Sequence, residues 1–432
     1  MKIGQTIRAI LSTDTAKNSA KLLSASVIVQ VIGLLIYPIL TRLYTPENFG
    51  LVNLFLSICG VLSLLATAEF QYSIVLPKED SLGKACLHIG LIVAVIFTIV
   101  LVCTIPFSRQ ISQLFKTPDL ANWYWIVPIF VFLTALWTLL NYWYTRKKQF
   151  GSICSYQVTQ SVANAGAKLT IGFGGYIQGG LILSAVISPI VALSISFVKN
   201  CKSSIKELFS INANDCRFVA KQYANFPKYS LPRAIINSLS GNLPVLLLTP
   251  FFGLTEIGFL GIAITLAFRP INMISSSLYQ VFYQKTAEQV QNHQSVKPFF
   301  TSFVKSVLII VIPCFVVLYF FLPTITEFLL GEEWRITGVY IQILLVWLLM
   351  SSLGAPISYI SDIFQKQKIA LLFEIVLVAS RFLGLFVGIY THNFLYAIMG
   401  YSFVSAIIIF VELLWYQSLI KQYEKECASN LL

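Results

Sequence analysis

Long apolar stretches separated by short polar ones dominate the chain, and each is long enough to form a membrane-spanning helix. Twelve occur, at roughly 20–42, 50–75, 84–106, 122–144, 150–174, 178–198, 229–252, 256–282, 301–322, 338–361, 368–390 and 393–420. About 20 apolar residues in a helix cross the hydrocarbon core of a bilayer. Inside that core only helices and closed barrels satisfy every backbone polar group. The pattern predicts an all-α integral membrane protein with twelve transmembrane helices.

The longest polar interruption, residues 201–228, separates two sets of six predicted spans. We expect a basic cytoplasmic linker that lies against anionic headgroups and contains a short helix beginning at Asn214 or Asp215. The predicted lobes are residues 1–200, with an interfacial helix at 1–11, and residues 229–432. Segment 49–58 weakly repeats in segment 257–266, which favours a parallel repeat of two six-helix lobes around a central cavity.

Charge and composition agree with a membrane location. The chain is 57% hydrophobic and 11% charged, with a net charge of +12. In a soluble protein this basic excess would suggest nucleic acid, but 23 of the 30 Lys and Arg residues fall in alternate polar segments or at the span ends beside them. Because cytoplasmic loops are enriched in Lys and Arg, both termini are predicted to be cytoplasmic and nucleic acid is not expected as a partner. The first apolar span is full length, so no cleavable signal peptide is predicted.

The chain shows no motif for a metal or a cofactor. Its eight cysteines form no CxxC pair, and His88, His293 and His392 are isolated from one another. We therefore predict unpaired thiols without a redox or metal role.

Polar side chains recur on single faces of several predicted spans. The stripes contain Ser26, Gln30, Tyr37 and Thr41 in the first span, Gln157, Gln160, Ser161, Asn164 and Lys168 in the fifth, Arg233, Asn237 and Ser240 in the seventh, Thr265, Arg269, Asn272, Ser276 and Gln280 in the eighth, and Gln367, Glu374, Arg381 and Gly388 in the eleventh. Charged residues at mid-bilayer are costly, so these faces should border water or one another. Alternatively, the uncharged members hydrogen-bond neighbouring helices.

Arg269 and Arg381 are the leading candidates for an anion-binding role, because both lie near the middle of their spans. A guanidinium presents several donors to phosphate oxygens and keeps its charge in hydrocarbon. Lys168 and Arg233 lie nearer the span ends, where a long side chain can reach the interface. Among the acids, Glu374 and Asp362 are preferred for a coupling Na⁺ or H⁺. The roles of Glu69 and Glu412 stay open.

Several segments resemble the Wzx-type polysaccharide biosynthesis and O-antigen flippases of the MATE-like superfamily. They are TRLYTPENFG at 41–50, YSIVLPK at 72–78, FPKYSLP at 226–232, NLPVLLL at 242–248 and LGEEW at 330–334. The resemblance extends over most of the chain in the right order, although no single segment is a catalytic motif.

The resemblance implies a flippase that moves an undecaprenyl-diphosphate-linked oligosaccharide across the bacterial inner membrane by alternating access, for O-antigen, lipopolysaccharide or exopolysaccharide assembly. Polysaccharide polymerase and assembly proteins are the implied partners. The basic candidates are then assigned to the diphosphate, with Asn164, Asn272, Asn237 and Gln30 among the sugar contacts. The alternative is a MATE-like cation-coupled exporter of drugs or small metabolites. The short outer loops carry few acids or bases, so an enzyme is not predicted.

Overall fold

A computed structural model describes residues 14–200 and 213–429 of the 432-residue chain. All regular elements in these ranges are helices, which confirms the all-α prediction. The chain divides into two compact units, Met1–Ser238 and Leu239–Leu432. The predicted lobe limits of 1–200 and 229–432 stay predictions.

The first unit contains short and long helices joined by tight turns. They are α1 (Asp14–Leu35), α2 (Tyr37–Leu43), α3 (Pro46–Thr67), α4 (Asp80–Thr104), α5 (Ser108–Leu114), α6 (Pro118–Trp123), α7 (Val127–Arg146), α8 (Phe150–Phe173), α9 (Gly180–Asn200) and α10 (Ala213–Gln222). A buried cluster that includes Leu87, Leu139 and Tyr156 packs α4, α7 and α8 together. Trp137 stacks on Tyr156 within it.

The second unit begins within α11, which runs across the boundary between the units. Its helices are α11 (Leu231–Gln291), α12 (Lys297–Leu330), α13 (Arg335–Gly354), α14 (Ile360–Ile363), α15 (Gln367–Tyr390) and α16 (Phe394–Ser429). A second buried cluster contains Phe303, Ile360 and Tyr416. It packs α12, α14 and α16 against one another.

The second predicted span, 50–75, is wrong at its carboxyl end, because α3 ends at Thr67. Ala68 and Glu69 both adopt positive φ angles, 45° and 62°, and a 3₁₀ helix then runs over Phe70–Val75. The Ala68 N–H caps the carbonyls of Leu64 and Leu65. A left-handed helix end is usually signalled by glycine, and alanine gave no such signal here.

The eighth predicted span and all but the first two residues of the seventh lie within α11, which Gly253 breaks. Its φ of 83° and ψ of 175° belong to a region that is essentially open to glycine alone. A Cβ atom there would meet no atom within 4 Å, so the requirement for glycine is conformational and not steric. The tenth predicted span, 338–361, is also divided, since α13 ends at Gly354 and a 3₁₀ turn containing Pro356 follows.

Ten segments of the described chain are long and apolar enough to cross a bilayer. One runs from Phe226 to Gln291 and contains two predicted spans. The fifth predicted span forms the 24-residue helix α8 but is not among the ten, because its polar stripe lowers its hydropathy. Membrane crossing is thus supported, while the count of twelve stays a prediction.

Apolar side chains cover the outward faces of the long helices, as a hydrocarbon solvent requires. On α12, Ile309, Phe320 and Phe328 are 71%, 71% and 81% exposed. Such exposure would be unfavourable in water but matches a lipid-facing surface.

Two predictions fall partly or wholly outside the described residues. The interfacial helix at 1–11 is outside them, and so are residues 201–212 of the linker. The linker helix is present as α10, beginning at Ala213. It packs on α4, with Val219 buried and the Cys216 thiol near the Ala85 carbonyl oxygen. Burial raises the pKa of Cys216, so the thiol stays protonated near neutral pH.

Candidate functional site

The predicted cargo-binding residues are distributed over both units. Gln30, Asn164, Lys168, Arg233 and Asn237 belong to the first unit, and Arg269, Asn272 and Arg381 to the second. They differ in exposure and in what they contact.

In the first unit, the polar stripe of α8 is partly used for helix packing. The Asn164 amide donates to the Ser184 carbonyl oxygen at 3.3 Å and to Ser188 Oγ at 3.1 Å. Both partners lie on α9, so Asn164 links two helices, as the alternative interpretation of the uncharged stripe expects. Lys168 is half-buried, and its carbonyl accepts a 2.8 Å hydrogen bond from the Tyr44 hydroxyl. Gln30 is half-buried on α1.

The four cargo-binding candidates of α11 are exposed, two on each side of its break. Arg233 and Asn237 precede Gly253, whereas Arg269 and Asn272 follow it. Their exposure leaves these side chains accessible to a ligand.

Arg381 differs from the other basic candidates because it is buried, at 7% exposed. Its Nε donates to Ser405 Oγ at 2.9 Å and its Nη1 to Ser240 Oγ at 2.8 Å. The guanidinium carbon lies 4.8 Å from the ring centre of Tyr401 and 5.6 Å from that of Trp347. We call these four partners the arginine cage.

Close contact between α15 and α16 positions the arginine cage. A Cβ atom on Gly384 would lie 2.6 Å from the Gly400 carbonyl oxygen, and one on Gly388 would lie 2.3 Å from the Ala397 nitrogen. Small residues therefore allow the two backbones to meet. Tyr401 follows Gly400 directly, and Ser405 lies one turn beyond it, so both reach Arg381.

The cage holds the charge of Arg381 without neutralising it. Within the described residues no carboxylate pairs with this guanidinium, and Nη2 makes no hydrogen bond. Serine oxygens satisfy part of the donor fork, while the ring faces attract the cation. Phe268 stacks on Trp347 at 5.2 Å with an angle of 7° between the rings, which extends the aromatic wall. A buried cation with spare donors is suited to an anionic ligand.

The second unit also contains a group of acids. Glu374 on α15 and Glu412 on α16 are half-buried and close enough for their charges to interact. The Tyr416 hydroxyl donates to Glu412 Oε1 at 2.6 Å. Asp362, which is exposed, interacts electrostatically with Tyr416. Thus Glu412, whose role the sequence left open, lies beside a predicted ion-coupling residue.

Sequence analysis missed a second arginine with a buried side chain, Arg146, at the end of α7. Its side chain is 8% exposed and forms two hydrogen bonds with Asp80 Oδ1, at 3.2 Å from Nε and 3.1 Å from Nη2. Nη1 donates to the carbonyls of Ile74 and Pro77, and Nη2 to that of Glu79. Lys147 pairs with Asp80 as well. The loop before α4 is thereby fastened to α7.

Comparison with known proteins identifies the class. The chain resembles the inward-facing structure of a multidrug resistance MATE family transporter of the MOP superfamily, with 15% identity, a TM-score of 0.70 and coverage of 94% of this chain and 95% of the other. It also resembles the lipid II flippase MurJ in an inward closed conformation, with 14% identity, a TM-score of 0.74 and coverage of 94% and 90%. The fold is that of a multi-pass MATE-like membrane protein, which confirms the predicted fold class.

The family follows from the sequence itself. The profile of the polysaccharide biosynthesis protein family matches residues 39–338. This chain therefore belongs to the polysaccharide biosynthesis protein family, as the sequence resemblance predicted. No curated protein sequence matches it. The prediction that the chain is a membrane flippase and not an enzyme agrees with this family and this fold.

Proposed function

We propose that this protein flips an undecaprenyl-diphosphate-linked oligosaccharide, an O-antigen or exopolysaccharide repeat unit, across the bacterial inner membrane by alternating access. The observation that carries the proposal is the charge of Arg381, buried in a spanning helix without a carboxylate partner among the described residues. A lipid-linked diphosphate brings about two negative charges into hydrocarbon, and a buried cation compensates for part of their lost hydration. The family membership supports a role in polysaccharide assembly.

The proposed cargo contacts divide by chemistry. The diphosphate is assigned by charge to Arg381, whose side chain is fixed by its contacts, to exposed Arg269 and Arg233, and to half-buried Lys168. Asn237, Asn272 and Gln30 are proposed to contact sugar hydroxyls, since amides both donate and accept hydrogen bonds. Asn164 is proposed to support the cargo site indirectly, through its hydrogen bonds from α8 to Ser184 and Ser188 of α9.

We further propose that transport is coupled to Na⁺ or H⁺ at the acids of the second unit. Two carboxyl groups whose charges interact favour binding of a cation that reduces their repulsion. Glu374, Glu412 and Asp362 are the proposed group, and the contact of Glu412 with Tyr416 supports including it. Both termini are proposed to face the cytoplasm, with polysaccharide polymerase and assembly proteins as partners.

The proposal can be tested in vesicles that contain the purified protein and a labelled polyprenyl-diphosphate oligosaccharide. The fraction of label accessible outside is measured over time. We expect wild type to move the label, Arg269→Ala to move it more slowly, and Arg109→Ala, an exposed arginine of the short helix α5, to match wild type. Equal rates in protein-free vesicles and in wild-type vesicles would refute the function.

The same vesicles test the alternative, a cation-coupled exporter of small molecules. The interacting acids Glu374 and Glu412 favour it, because cationic cargo prefers acidic contacts. Uptake of a cationic dye together with no movement of the lipid-linked glycan would support this alternative over the flippase.

A further inference from the structure

The second unit carries an apolar groove on its surface, between the antiparallel helices α12 and α13. We call it the α12–α13 groove. Its volume is about 320 Å³, and nearly all of its lining is apolar. Its walls include Ile312, Val316 and Tyr319 of α12 and Leu345, Val346 and Leu349 of α13. None of these residues belongs to the proposed cargo or ion sites.

The groove is closed at one end by a close contact between the two helix backbones. A Cβ atom on Gly338 would lie 2.5 Å from the Pro323 Cα atom and 2.7 Å from the Leu322 carbonyl oxygen. Pro323 has no N–H and cannot donate to the Tyr319 carbonyl one turn earlier, so the Gln342 amide of α13 donates to that oxygen instead. This end of the groove is therefore tightly packed, and the carbonyl that the proline frees is hydrogen-bonded.

The charged residues of α12 indicate the depth of the groove in the membrane. Residues 306–326 carry no charge, and Lys305 and Glu327 bound them. At 1.5 Å per residue they span about 31 Å, which matches the hydrocarbon core of about 30 Å. The closed end lies toward Glu327, which pairs with Arg335 at 3.1 Å. The groove therefore opens toward the membrane boundary at Lys305, and its residues begin about 10 Å from that lysine along α12.

Lys305 lies on the same face of α12 as the groove. Steps of four, three and four residues lead from Lys305 through Ile309 and Ile312 to Val316, which is the spacing of one helical face. Lys305 is exposed, and among the described residues its ammonium group has no hydrogen-bond or ion-pair partner. Phe303, on the opposite face, is buried in the second cluster. A cation thus lies above the open end of an apolar groove.

The depth, shape and charge of the groove match an anionic phospholipid. An acyl chain is apolar and extends from the headgroup to about the middle of the bilayer, about 15 Å deep. A lysine at the edge of the hydrocarbon extends its ammonium group toward the lipid phosphates, and anionic lipid attracts it. The undecaprenyl chain of the proposed cargo is several times longer than an acyl chain and would have to leave a groove that is closed at its far end.

We propose that the α12–α13 groove holds one acyl chain of an anionic phospholipid whose phosphate contacts Lys305. Side chains do not fill the space between the two helices, and the acyl chain supplies the dispersion contacts that the groove walls otherwise lack. The bound lipid then packs α12 against α13. This site is separate from the proposed cargo and ion sites and does not depend on the proposed function.

Photo-crosslinking of the full-length protein in vesicles locates the acyl chain. The vesicles contain phosphatidylcholine and a small fraction of phosphatidylglycerol that carries a diazirine at the end of one acyl chain, and mass spectrometry identifies the labelled residues. We expect labels at Ile312, Val316 and Val346 that unlabelled phosphatidylglycerol displaces, whereas the same amount of added phosphatidylcholine does not. Labelling of Ile310, outside the groove, to the same extent and without displacement at either place would show general lipid contact only and overturn the site.

Filling the groove tests its role in holding the chain. Val316→Trp places a large ring in the groove and should remove most of the displaceable label. Ile310→Trp is the matched control, because Ile310 is an exposed residue of α12 that does not line the groove, and it should keep the label. Full labelling of Val316→Trp, in protein with wild-type thermal unfolding, would contradict the proposal.

Lys305→Gln tests the headgroup contact without altering the groove. About fivefold more phosphatidylglycerol should be needed to displace half of the label, as expected for the loss of one basic contact with anionic lipid. Lys368→Gln, which alters an exposed lysine of α15, should need the wild-type amount. An unchanged preference for phosphatidylglycerol in Lys305→Gln would refute the assigned headgroup contact.

Two other occupants would give different results. If undecaprenyl phosphate displaces the label at a lower concentration than phosphatidylglycerol does, the groove holds a polyprenyl chain and the phospholipid proposal is wrong. If Val316→Cys chains form more disulfide-linked dimers than wild type, which already has the exposed Cys314 on α12, a second copy of the chain covers the groove and the proposal is also wrong.

Discussion

Two arginines with buried side chains illustrate opposite uses of the same group. Arg146 in the first unit pairs with Asp80 and donates to loop carbonyls, so both its charge and its donors are satisfied. Arg381 in the second unit contacts two serines and two aromatic rings, and no carboxylate of the described chain neutralises it.

The difference indicates which of the two can act on a ligand. A fully bonded arginine contributes to stability, because removing it leaves carbonyls and a carboxylate without a donor. An arginine with a spare nitrogen and an uncompensated charge costs stability to keep buried, and an anionic ligand would recover that cost. The two arginines therefore differ in their partners and not in burial, and the partners are the reason for proposing a ligand-binding role for Arg381 alone.

The largest expected effect is on transport in Arg381→Ala. Loss of a hydrogen bond to a charged group, worth about 1.5–3 kcal/mol, should slow glycan flipping about 10- to 100-fold. Flipping is measured in vesicles per molecule of folded protein. Arg381→Lys keeps the positive charge but lacks the guanidinium group, so its rate of flipping should lie between those of Arg381→Ala and wild type. If Arg381→Ala flips the glycan at the wild-type rate, the cargo-binding role proposed for Arg381 is wrong.

Arg146→Ala should show the reverse behaviour. Its free energy of unfolding should fall by about 1.5–3 kcal/mol, because the loop carbonyls and Asp80 lose their main donor. Denaturant unfolding in micelles, followed by tryptophan fluorescence, measures this change. Flipping per folded molecule should stay close to that of wild type. Unchanged stability together with lost transport would exchange the roles assigned to the two arginines.

Loosening the arginine cage should have a smaller effect than removing its arginine. Ser240→Ala takes away the closer acceptor of Nη1, the hydroxyl, and keeps the Ser240 carbonyl oxygen at 3.4 Å. It should cost about 1 kcal/mol, or about a fivefold slower rate of flipping. Ser277→Ala, on the same helix, is the control, because the Ser277 hydroxyl donates to the Met273 carbonyl oxygen within α11, and it should flip at the wild-type rate. If both variants lose the same fraction of the flipping rate, the loss comes from altering α11 in general and not from the arginine cage.

The smallest effect is expected for Asp80→Asn. Asp80 is 59% exposed, and exposed ion pairs contribute about 0.2–1 kcal/mol. Arg146 keeps its bonds to the loop carbonyls, so stability should fall only slightly and the difference from wild type should shrink at high salt. A loss as large as that of Arg146→Ala would show that the ion pair, and not the carbonyl bonds, fastens the loop.

The sequence predicted the fold class well, because hydrophobic runs report membrane solvation directly. The breaks were harder to predict. The end of α3 at Ala68 has no glycine to signal it, and the polar face of α8 lowers the apolar signal of a long helix. Gly253 divides α11 at a position between two predicted spans, so that break agrees with the sequence pattern.

The candidate site was only partly accessible to sequence reasoning. Periodicity placed Arg381 in a stripe with Glu374 on its own helix, but its actual contacts come from α11, α13 and α16. Such partners are distant in sequence and depend on how closely α15 and α16 pack. Likewise, the count of basic residues treated Arg146 as one of many cytoplasmic charges. In the structure its guanidinium donates hydrogen bonds to residues that lie 66–72 positions earlier in the chain.

The central claim is that Arg381 can bind an anionic cargo because no carboxylate compensates its charge. Placing a carboxylate beside its guanidinium tests this claim most directly. Ser405→Asp places a carboxylate at the acceptor of Nε, which gives Arg381 the kind of partner that Arg146 has, while Ser405→Asn matches it in size without the charge. Flipping of the labelled lipid-linked glycan is measured in vesicles for both variants. We predict a folded Ser405→Asp protein that has lost transport and a Ser405→Asn protein that keeps most of it. Wild-type flipping by Ser405→Asp would contradict the account.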